Sequence, residues 1–302
     1  MFEIAIPSNF LEERKYVVTT FFETFLGLPY IIRLTENSNY YISYNDKLIL
    51  IIEDHFFSHL PDEFYISKDL IPVPKLFLDV PYFNPDLEFI SLFHSLDSDS
   101  VIFVSEEGTI CKSDIFASIF FMLSRWEEAC VKDLDSHERV SATKSVAYIH
   151  GFLNRPIVNE YIEFIWKIFS NSIPYLERKS RSFTFMATHD VDVPFEYFYN
   201  SKISLMRQLA GDIIKRNSIQ TFLKRIKNFY ISKYIDVSLD PFNTFKEILS
   251  LSNEYNVKSY FNFFGENTLE SYDCIYNLRD EVIINIIKEI INEGHQIGFH
   301  TS

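Results

Sequence analysis

Three strand-like runs separated by two helical stretches limit the possible folds of this chain more than any other feature. The strand-like runs are Ser182–Thr188, Lys258–Phe264 and His295–His300. Asp240 followed by Pro241 predicts the start of one intervening helix, with a cap and then a first-turn proline. Asn277 caps the other predicted helix, which ends at Gly294. The order β-α-β-α-β predicts a parallel sheet with right-handed crossovers.

Residues 1–177 are predicted to form a separate N-terminal domain of α/β or α+β class. A first strand alternates through Phe2, Ile4 and Ile6, and a helix follows from Leu11 to Leu26. Further strands are predicted at Tyr30–Arg33, Tyr40–Tyr44, Leu48–Ile52 and Val101–Val104. Further helices are predicted from the cap Ser113 to about Cys130, and from Asn154 toward Phe169. The charged segment Glu177–Arg181 separates this domain from residues 182–302, which also contain a long predicted helix over Ser201–Tyr230.

Composition excludes several classes of protein. With 302 residues, of which 47% are hydrophobic, the chain has enough apolar material for a core, so global disorder is excluded. The formal net charge of −14 argues against general nucleic-acid binding. No apolar run reaches the ~18 residues of a membrane span, and the first residues do not have the pattern of a signal peptide. We therefore expect a cytoplasmic protein, with peripheral membrane association left open.

Polar residues at the ends of two predicted strands carry the chemistry. Thr188-His189-Asp190-Val191-Asp192 ends the first strand, and His300 ends the third. Ligands of parallel sheets bind beyond the carboxyl ends of the strands, and zinc prefers imidazole and carboxylate ligands. Asp190 and Asp192 are two residues apart, so in an extended segment both face the same side. One would hold a metal while the other serves as a base, although such a cluster is also typical of a turn that caps a helix.

These two motifs resemble those of the NodB-homology polysaccharide deacetylases, which are metal-dependent carbohydrate esterases. Thr188–Asp192 (THDVD) is similar to their first motif, and Gly294–Ser302 (GHQIGFHTS) is similar to their second. The resemblance covers roughly Phe183 to Ser302. It implies a distorted (β/α) barrel and N- or O-acetylated sugar substrates. It also implies a divalent metal, most simply zinc, held by Asp192 and His300, with Asp190 as the catalytic base.

The chain departs from that family in two ways. Its first motif reads Asp-Val-Asp, so the roles of Asp190 and Asp192 are open to exchange. The second histidine of the other motif would fall two residues beyond Ser302, and the family's later motifs are absent. We therefore expect a partial barrel that is not a competent enzyme by itself. The first half resembles an uncharacterised domain that precedes such deacetylases in some bacterial proteins, around Phe116–Glu128 and Asn154–Tyr161.

The expected function is the removal of acetyl groups from an acetylated polysaccharide in envelope or capsule metabolism. Two alternatives stay open. In a glycosyltransferase, Asp190 and Asp192 would form an Asp-x-Asp pair that binds a metal and a nucleotide diphosphate. In a non-catalytic protein, the chain would be a module that binds a glycan or a protein partner.

Three further features are candidates for function. His189 and His295 are predicted to orient a ligand from behind the metal site. His55 and His59 have the spacing of two zinc ligands on one helix face, but a structural role is favoured because no glutamate base follows the zincin pattern. Residues 201–235 carry eight cations and one acid. Such a basic amphipathic stretch would face an anionic glycan or a membrane surface, or would pack as a solvated insertion on the acidic remainder.

Overall fold

The chain divides into two compact units, Met1–Arg181 and Ser182–Ser302. A computed structural model describes residues 1–60, 66–95, 97–106, 108–136, 139–180, 182–199, 201–265 and 276–300. The division between the units falls at the charged segment Glu177–Arg181. Both units mix helices and strands, as the predicted α/β class requires.

A six-stranded mixed sheet forms the centre of the N-terminal unit, in the order β2-β1-β3-β4-β8-β7. Its strands are β1 (Phe2–Pro7), β2 (Tyr30–Thr35), β3 (Tyr40–Tyr44), β4 (Lys47–Ile52), β7 (Ile102–Val104) and β8 (Thr109–Cys111). The pairs β1–β2 and β4–β8 are parallel, and the other pairs are antiparallel. Two short strands, β5 (Lys75–Phe77) and β6 (Phe89–Ser91), form a separate antiparallel pair.

The helices of this unit supply most of its apolar core. They are α1 (Leu11–Thr19, continued as a π-helix over Thr20–Leu26), α2 (Ile115–Leu123), α3 (Trp126–Cys130), α4 (Val146–Ile149) and α5 (Ile157–Ser172). Seven consecutive residues of α2, from Ile115 to Phe121, are buried, because this helix is apolar on all sides. The alternation predicted for β1 is confirmed, since Phe2, Ile4 and Ile6 are all buried.

The C-terminal unit is built on a three-stranded parallel sheet in the order β11-β10-β9. The strands are β9 (Ala187–Val191), β10 (Ser259–Phe264) and β11 (Gln296–His300). Its helices are α6 (Lys202–Ile214), α7 (Ile219–Tyr234), α8 (Phe245–Glu254) and α9 (Glu281–Asn292). Phe261, Phe263 and Ile283 belong to one buried core together with Leu249 and Ile290. The predicted β-α-β-α-β order with a parallel sheet is therefore confirmed.

The first strand of this sheet begins at Ala187 and not at Ser182 as predicted. Ala187 pairs with Ser259, the first residue of β10, so the preceding residues have no partner strand in the sheet. The side chains of Phe183 and Phe185 are exposed accordingly. The strand instead continues beyond Thr188, its predicted end, through His189 and Asp190 to Val191.

Three predicted helix caps are wrong. Asp114, not Ser113, caps α2 by accepting a hydrogen bond from the Ala117 N–H. The helix predicted at Asn277 begins at Glu281, after Asp280.

Asp240 does not cap α8, which begins at Phe245. The Asp240 carboxylate accepts hydrogen bonds from the N–H groups of Glu196 and Tyr197, at 2.7 and 2.9 Å, and from the N–H of Phe242. It therefore anchors the segment that follows β9.

The helix predicted over Ser201–Tyr230 is two helices. Asn217 lies in the left-handed region, with φ of 48°, and this residue separates α6 from α7. Ser201 and Ser218 cap the two helices with their side chains. In the described part of the chain, no helix combines the length and hydrophobicity needed to cross a bilayer. The sheets among those residues are open.

Candidate functional site

One face of the C-terminal sheet carries a row of polar residues. Asp190 in β9, Asn262 in β10 and Gly298 in β11 are register partners across the three strands. The Asn262 Nδ2 donates a hydrogen bond of 2.9 Å to Asp190 Oδ1. A Cβ atom at Gly298 would lie 1.9 Å from Asn262 Oδ1, which is far inside contact distance. The absence of a side chain at Gly298 therefore makes room for the amide that holds Asp190.

His300 lies two residues further along β11, beside the two aspartates. Its Nε2 is 3.6 Å from Asp190 Oδ2 and 3.7 Å from Asp192 Oδ1. Phe264, its register partner in β10, supports the imidazole, with ring centroids 4.1 Å apart. We call Asp190, Asp192 and His300 the strand-end cluster. The structure thus brings together the three side chains that were predicted to hold a metal and to act as a base.

The strand-end cluster is open to solvent. The side chains of Asp190 and Asp192 are 56% and 66% exposed, whereas that of His300 is 26% exposed. Both distances from His300 are too long for direct hydrogen bonds. The polar atoms therefore face a space that an ion or a substrate group can enter.

The donor set agrees with the preferences of zinc. Two ligands of a tetrahedral zinc ion with bonds of ~2.0–2.2 Å are roughly 3.3–3.6 Å apart, and both His300–carboxylate distances approach this value. Within the described ranges, however, no group of three or more His, Cys, Asp or Glu side chains meets the geometry of a metal site. The strand-end cluster is therefore more open than a loaded zinc site. Thr301 and Ser302, which complete the second motif, lie outside the described residues.

His189 and His295 lie on the other side of the sheet. The His189 Nε2 is 3.3 Å from Ser259 Oγ, and its ring is 4.9 Å from that of Phe261. The His295 Nδ1 accepts a hydrogen bond from the Ser259 N–H, and its Nε2 is buried. Burial lowers the pKa of His189, and the nearby His295 adds to the effect.

These contacts connect β9, β10 and the start of β11. The contacts described for the two histidines involve none of the three residues of the strand-end cluster. Their predicted role in orienting a ligand stays a prediction.

Asn262, Gly298 and Phe264 are functional candidates that sequence reasoning missed. Each stands on the same face as Asp190 or His300, and each could have been found from strand periodicity combined with the register of a parallel sheet. The signals were one amide in an aromatic strand (SYFNFF) and one glycine in the middle of HQIGFH.

The comparisons with known proteins concern the other unit. A family of unknown function, DUF7033, has a model that matches residues 2–174. The chain belongs to this family. No curated protein and no solved structure matches the chain. The DUF7033 region covers the N-terminal unit and ends before β9, so it does not include the strand-end cluster.

His55 and His59, which lie in the DUF7033 region, do not share a helix face. Within the described residues 55–60, a short 3₁₀ turn, Phe57–His59, forms in place of an α-helix, so the spacing that would bring His55 and His59 together does not apply. The His55 Nε2 is 3.0 Å from Glu53 Oε2. Asp54, between them, is buried and lies 2.6 Å from Arg14 Nη2. These contacts agree with the structural role that was favoured.

Proposed function

We propose that the C-terminal unit is the metal-dependent part of a deacetylase that hydrolyses acetyl groups on an acetylated polysaccharide or sugar. One observation carries the proposal: His300 Nε2 lies within 3.7 Å of one carboxylate oxygen of Asp190 and one of Asp192. The two motifs of the resemblance therefore meet at one place, although they are far apart in sequence. The parallel sheet in which they meet would be the first part of a (β/α) barrel.

The three side chains divide the chemistry between them. Asp192 and His300 would hold the divalent cation, and zinc suits this pair of donors. The cation supplies Lewis acidity toward the acyl oxygen. Asp190 would accept a proton from the attacking water, because Asn262 fixes one of its oxygens and leaves the other turned toward His300. The open side of the cluster would admit the acetyl group of a polymer from solvent.

The position of His300 distinguishes this function from the two alternatives. An Asp-x-Asp glycosyltransferase needs the aspartates and a nucleotide site, but it gives no reason for an imidazole between the two carboxylates. A binding module gives no reason for Gly298 and Asn262 to hold Asp190 at a set position. We therefore favour the hydrolase, which uses all of these residues.

Metal binding is the first test. Zinc affinity of the 302-residue protein is measured by competition with a chromophoric chelator, for the wild type and for His300→Ala, Asp192→Asn and Asp190→Asn. We expect His300→Ala and Asp192→Asn to weaken binding by at least about tenfold, and Asp190→Asn to keep most of it. His150→Ala and Glu254→Gln are matched controls at exposed positions and should bind zinc like the wild type. Equal affinity in all six proteins would contradict the assignment.

Turnover is the second test, measured as acetate release from a panel of acetylated oligosaccharides by the full-length product of the gene. Asp190→Asn should reduce the rate by about 10²–10⁴-fold while zinc content is retained, since a general base contributes that much. If Asp190→Asn loses zinc and Asp192→Asn keeps it, the two roles are exchanged. Retained turnover in both variants would refute the proposed mechanism.

A further inference from the structure

The helical pair α6–α7 exposes apolar side chains on its outer face. In α6 these are Ile203, Met206, Ala210, Ile213 and Ile214. In α7 they are Ile219, Leu223, Ile226, Tyr230 and Tyr234. The steps of three or four residues place each set on one side of its helix. Ile214 is 80% exposed, Leu223 59% and Tyr230 58%. We call these two rows the outer stripes.

The opposite faces of the two helices are fixed to the rest of the unit by a polar network. Asp212 is fully buried and lies 2.7 Å from Arg225 Nε and 2.6 Å from Arg216 Nη1. Arg225 Nη1 also lies 3.3 Å from Glu196 Oε1, and it donates a hydrogen bond of 2.7 Å to Gln208 Oε1. Turning the outer stripes inward would break the pair of buried Asp212 with Arg225 and would place apolar side chains where the polar network now packs, which is unfavourable. The apolar side therefore faces outward.

Cations flank the outer stripes. Lys202 and Arg207 lie on either side of the α6 stripe, and Lys224 and Lys227 lie along one side of the α7 stripe. Among the described residues, the side chains of these four have no ion pair or hydrogen bond. A groove of about 730 Å³ lies at the end of α6. Its lining includes the cations Arg207, Lys215 and Arg216 beside Gly211 and Ile214. The segment 201–235 has a net charge of +7 in a chain of −14.

We propose that the outer stripes of α6 and α7 dock on an anionic lipid bilayer, with the apolar side chains in the headgroup boundary and the flanking cations on lipid phosphates. A basic amphipathic helix with an apolar stripe is the usual form of such a contact. An acidic glycan would pair with the cations but would leave the aliphatic side chains in water. A second copy of the chain would bring the same cations face to face across a two-fold axis, so charge repulsion opposes that contact.

This surface is separate from the strand-end cluster, so its test does not depend on zinc or turnover. The 302-residue protein is sedimented with vesicles of phosphatidylcholine containing phosphatidylserine, and with vesicles of phosphatidylcholine alone. We expect binding only to the anionic vesicles, weakened by salt. Lys224→Gln with Lys227→Gln should reduce the bound fraction by about tenfold. Leu223→Ser with Tyr230→Ser should reduce it by a similar factor.

Matched controls lie on exposed positions of other helices. Lys246→Gln with Lys288→Gln, and Leu251→Ser, should bind vesicles like the wild type. Leu223→Trp gives a direct readout of insertion, since we expect its emission to shift to the blue with anionic vesicles. Both native tryptophans, Trp126 and Trp166, lie in the other unit.

Three outcomes would overturn the proposal. One is equal vesicle binding by the wild type and both double variants. Another is binding to soluble polygalacturonate without any binding to anionic vesicles, which would assign the surface to a glycan. The third is self-association in sedimentation velocity that Leu223→Ser with Tyr230→Ser abolishes, in the absence of vesicle binding, which would assign the stripes to a second copy.

Discussion

Each unit contains a group of carboxylates, and the two groups differ in what surrounds them. In the N-terminal unit, Arg14, Tyr40, Asp54 and Asp114 are all buried, and we call them the buried cluster. Arg14 donates hydrogen bonds to Tyr40 and to Asn9 and lies 2.6 Å from Asp54. In the strand-end cluster, by contrast, both aspartates are more than half exposed, and the space between them and His300 is open.

The comparison separates a structural use of charge from a chemical one. In the buried cluster, protein donors occupy the carboxylates: Asp114 accepts from the N–H groups of His55 and Ala117, and Asp54 accepts from that of Phe56. Burial, together with the neighbouring Asp54, raises the pKa of Asp114. In the strand-end cluster, Asn262 holds one oxygen of Asp190, and the other oxygens remain accessible to a ligand. A binding site requires side chains that are held in place but still have polar atoms that a ligand can reach. The strand-end cluster meets both requirements.

The largest effect is expected from breaking the buried cluster. Arg14→Met keeps the length of the side chain but removes the charge opposite Asp54, so it leaves a buried carboxylate without its partner. We expect a loss of about 3–5 kcal/mol in the free energy of unfolding of the N-terminal unit. Urea unfolding followed by tryptophan fluorescence measures this unit alone, because Trp126 and Trp166 both belong to it.

An exposed ion pair in the same unit provides the control for Arg14→Met. Arg33 Nε lies 2.7 Å from Glu3 Oε2, and the Arg33 side chain is 62% exposed. Arg33→Met should therefore cost less than about 1 kcal/mol. Similar losses for the two variants would show that burial does not make the Arg14 pair critical.

The next effect concerns the strand that supports Asp190. Gly298→Ala places a Cβ 1.9 Å from Asn262 Oδ1, and overpacking of this kind costs about 1–3 kcal/mol. The Asn262 amide must move, so the hydrogen bond to Asp190 is lost as well. Hydrogen exchange of the β10 and β11 peptides measures the local loss, and chelator competition measures the effect on zinc.

A second substitution should relieve that steric conflict. Asn262→Ala removes the atom that the new methyl group meets, so in the double variant the exchange protection of β11 should recover although Asp190 has lost its donor. A double variant that is as unprotected as Gly298→Ala alone would mean that the clash with Asn262 is not the cause.

The contrast between the clusters also shows what the sequence could predict. The parallel order of β9, β10 and β11, and the meeting of Asp190, Asp192 and His300, followed from apolar periodicity and the rule that ligands bind at strand ends. The helix starts predicted at Asp240 and Asn277 are wrong, because a residue suited to capping can also accept hydrogen bonds away from a helix start. Asn277 Oδ1 accepts one from the Arg279 N–H, before the helix begins. Asp240 is used by Glu196 and Tyr197, more than forty residues away, and no local pattern reveals this.

The strand boundary at Ala187 was missed for a similar reason. An apolar run becomes a strand only where a neighbour pairs with it, and β10 begins opposite Ala187. In the same way, the face on which α6 and α7 pack was not predictable from their apolar spacing. The ion pair of the buried Asp212 in α6 with Arg225 in α7 determines that face, and it joins residues on two different helices.

A smaller effect on stability is expected at the strand-end cluster itself. Asp190→Asn and Asp192→Asn remove exposed charges, so each should change the free energy of unfolding of the metal-free protein by less than about 1 kcal/mol. Removing one of two nearby like charges can even stabilise the unit, as is common at functional sites. Calorimetry of the metal-free variants measures this. A loss comparable to that of Arg14→Met would indicate a structural role for these aspartates.

The smallest effect is expected at His94, a partly buried histidine of the N-terminal unit. Burial lowers the pKa of His94 from its ordinary value of 6.5, and the charges of Lys75 and His55 act in the same direction. The unfolded chain therefore binds the proton more readily than the folded one. The stabilising contribution is complete above pH 6.5 and is lost as the pH falls below it. His94→Phe should remove this dependence, so the difference in unfolding free energy between wild type and variant should shift in favour of the variant as the pH falls from about 7.5 to about 5.5. Urea unfolding followed by tryptophan fluorescence at both pH values measures this difference. A constant difference would mean that His94 takes up its proton equally in both states, and that the acid sensitivity of the N-terminal unit arises from its carboxylates.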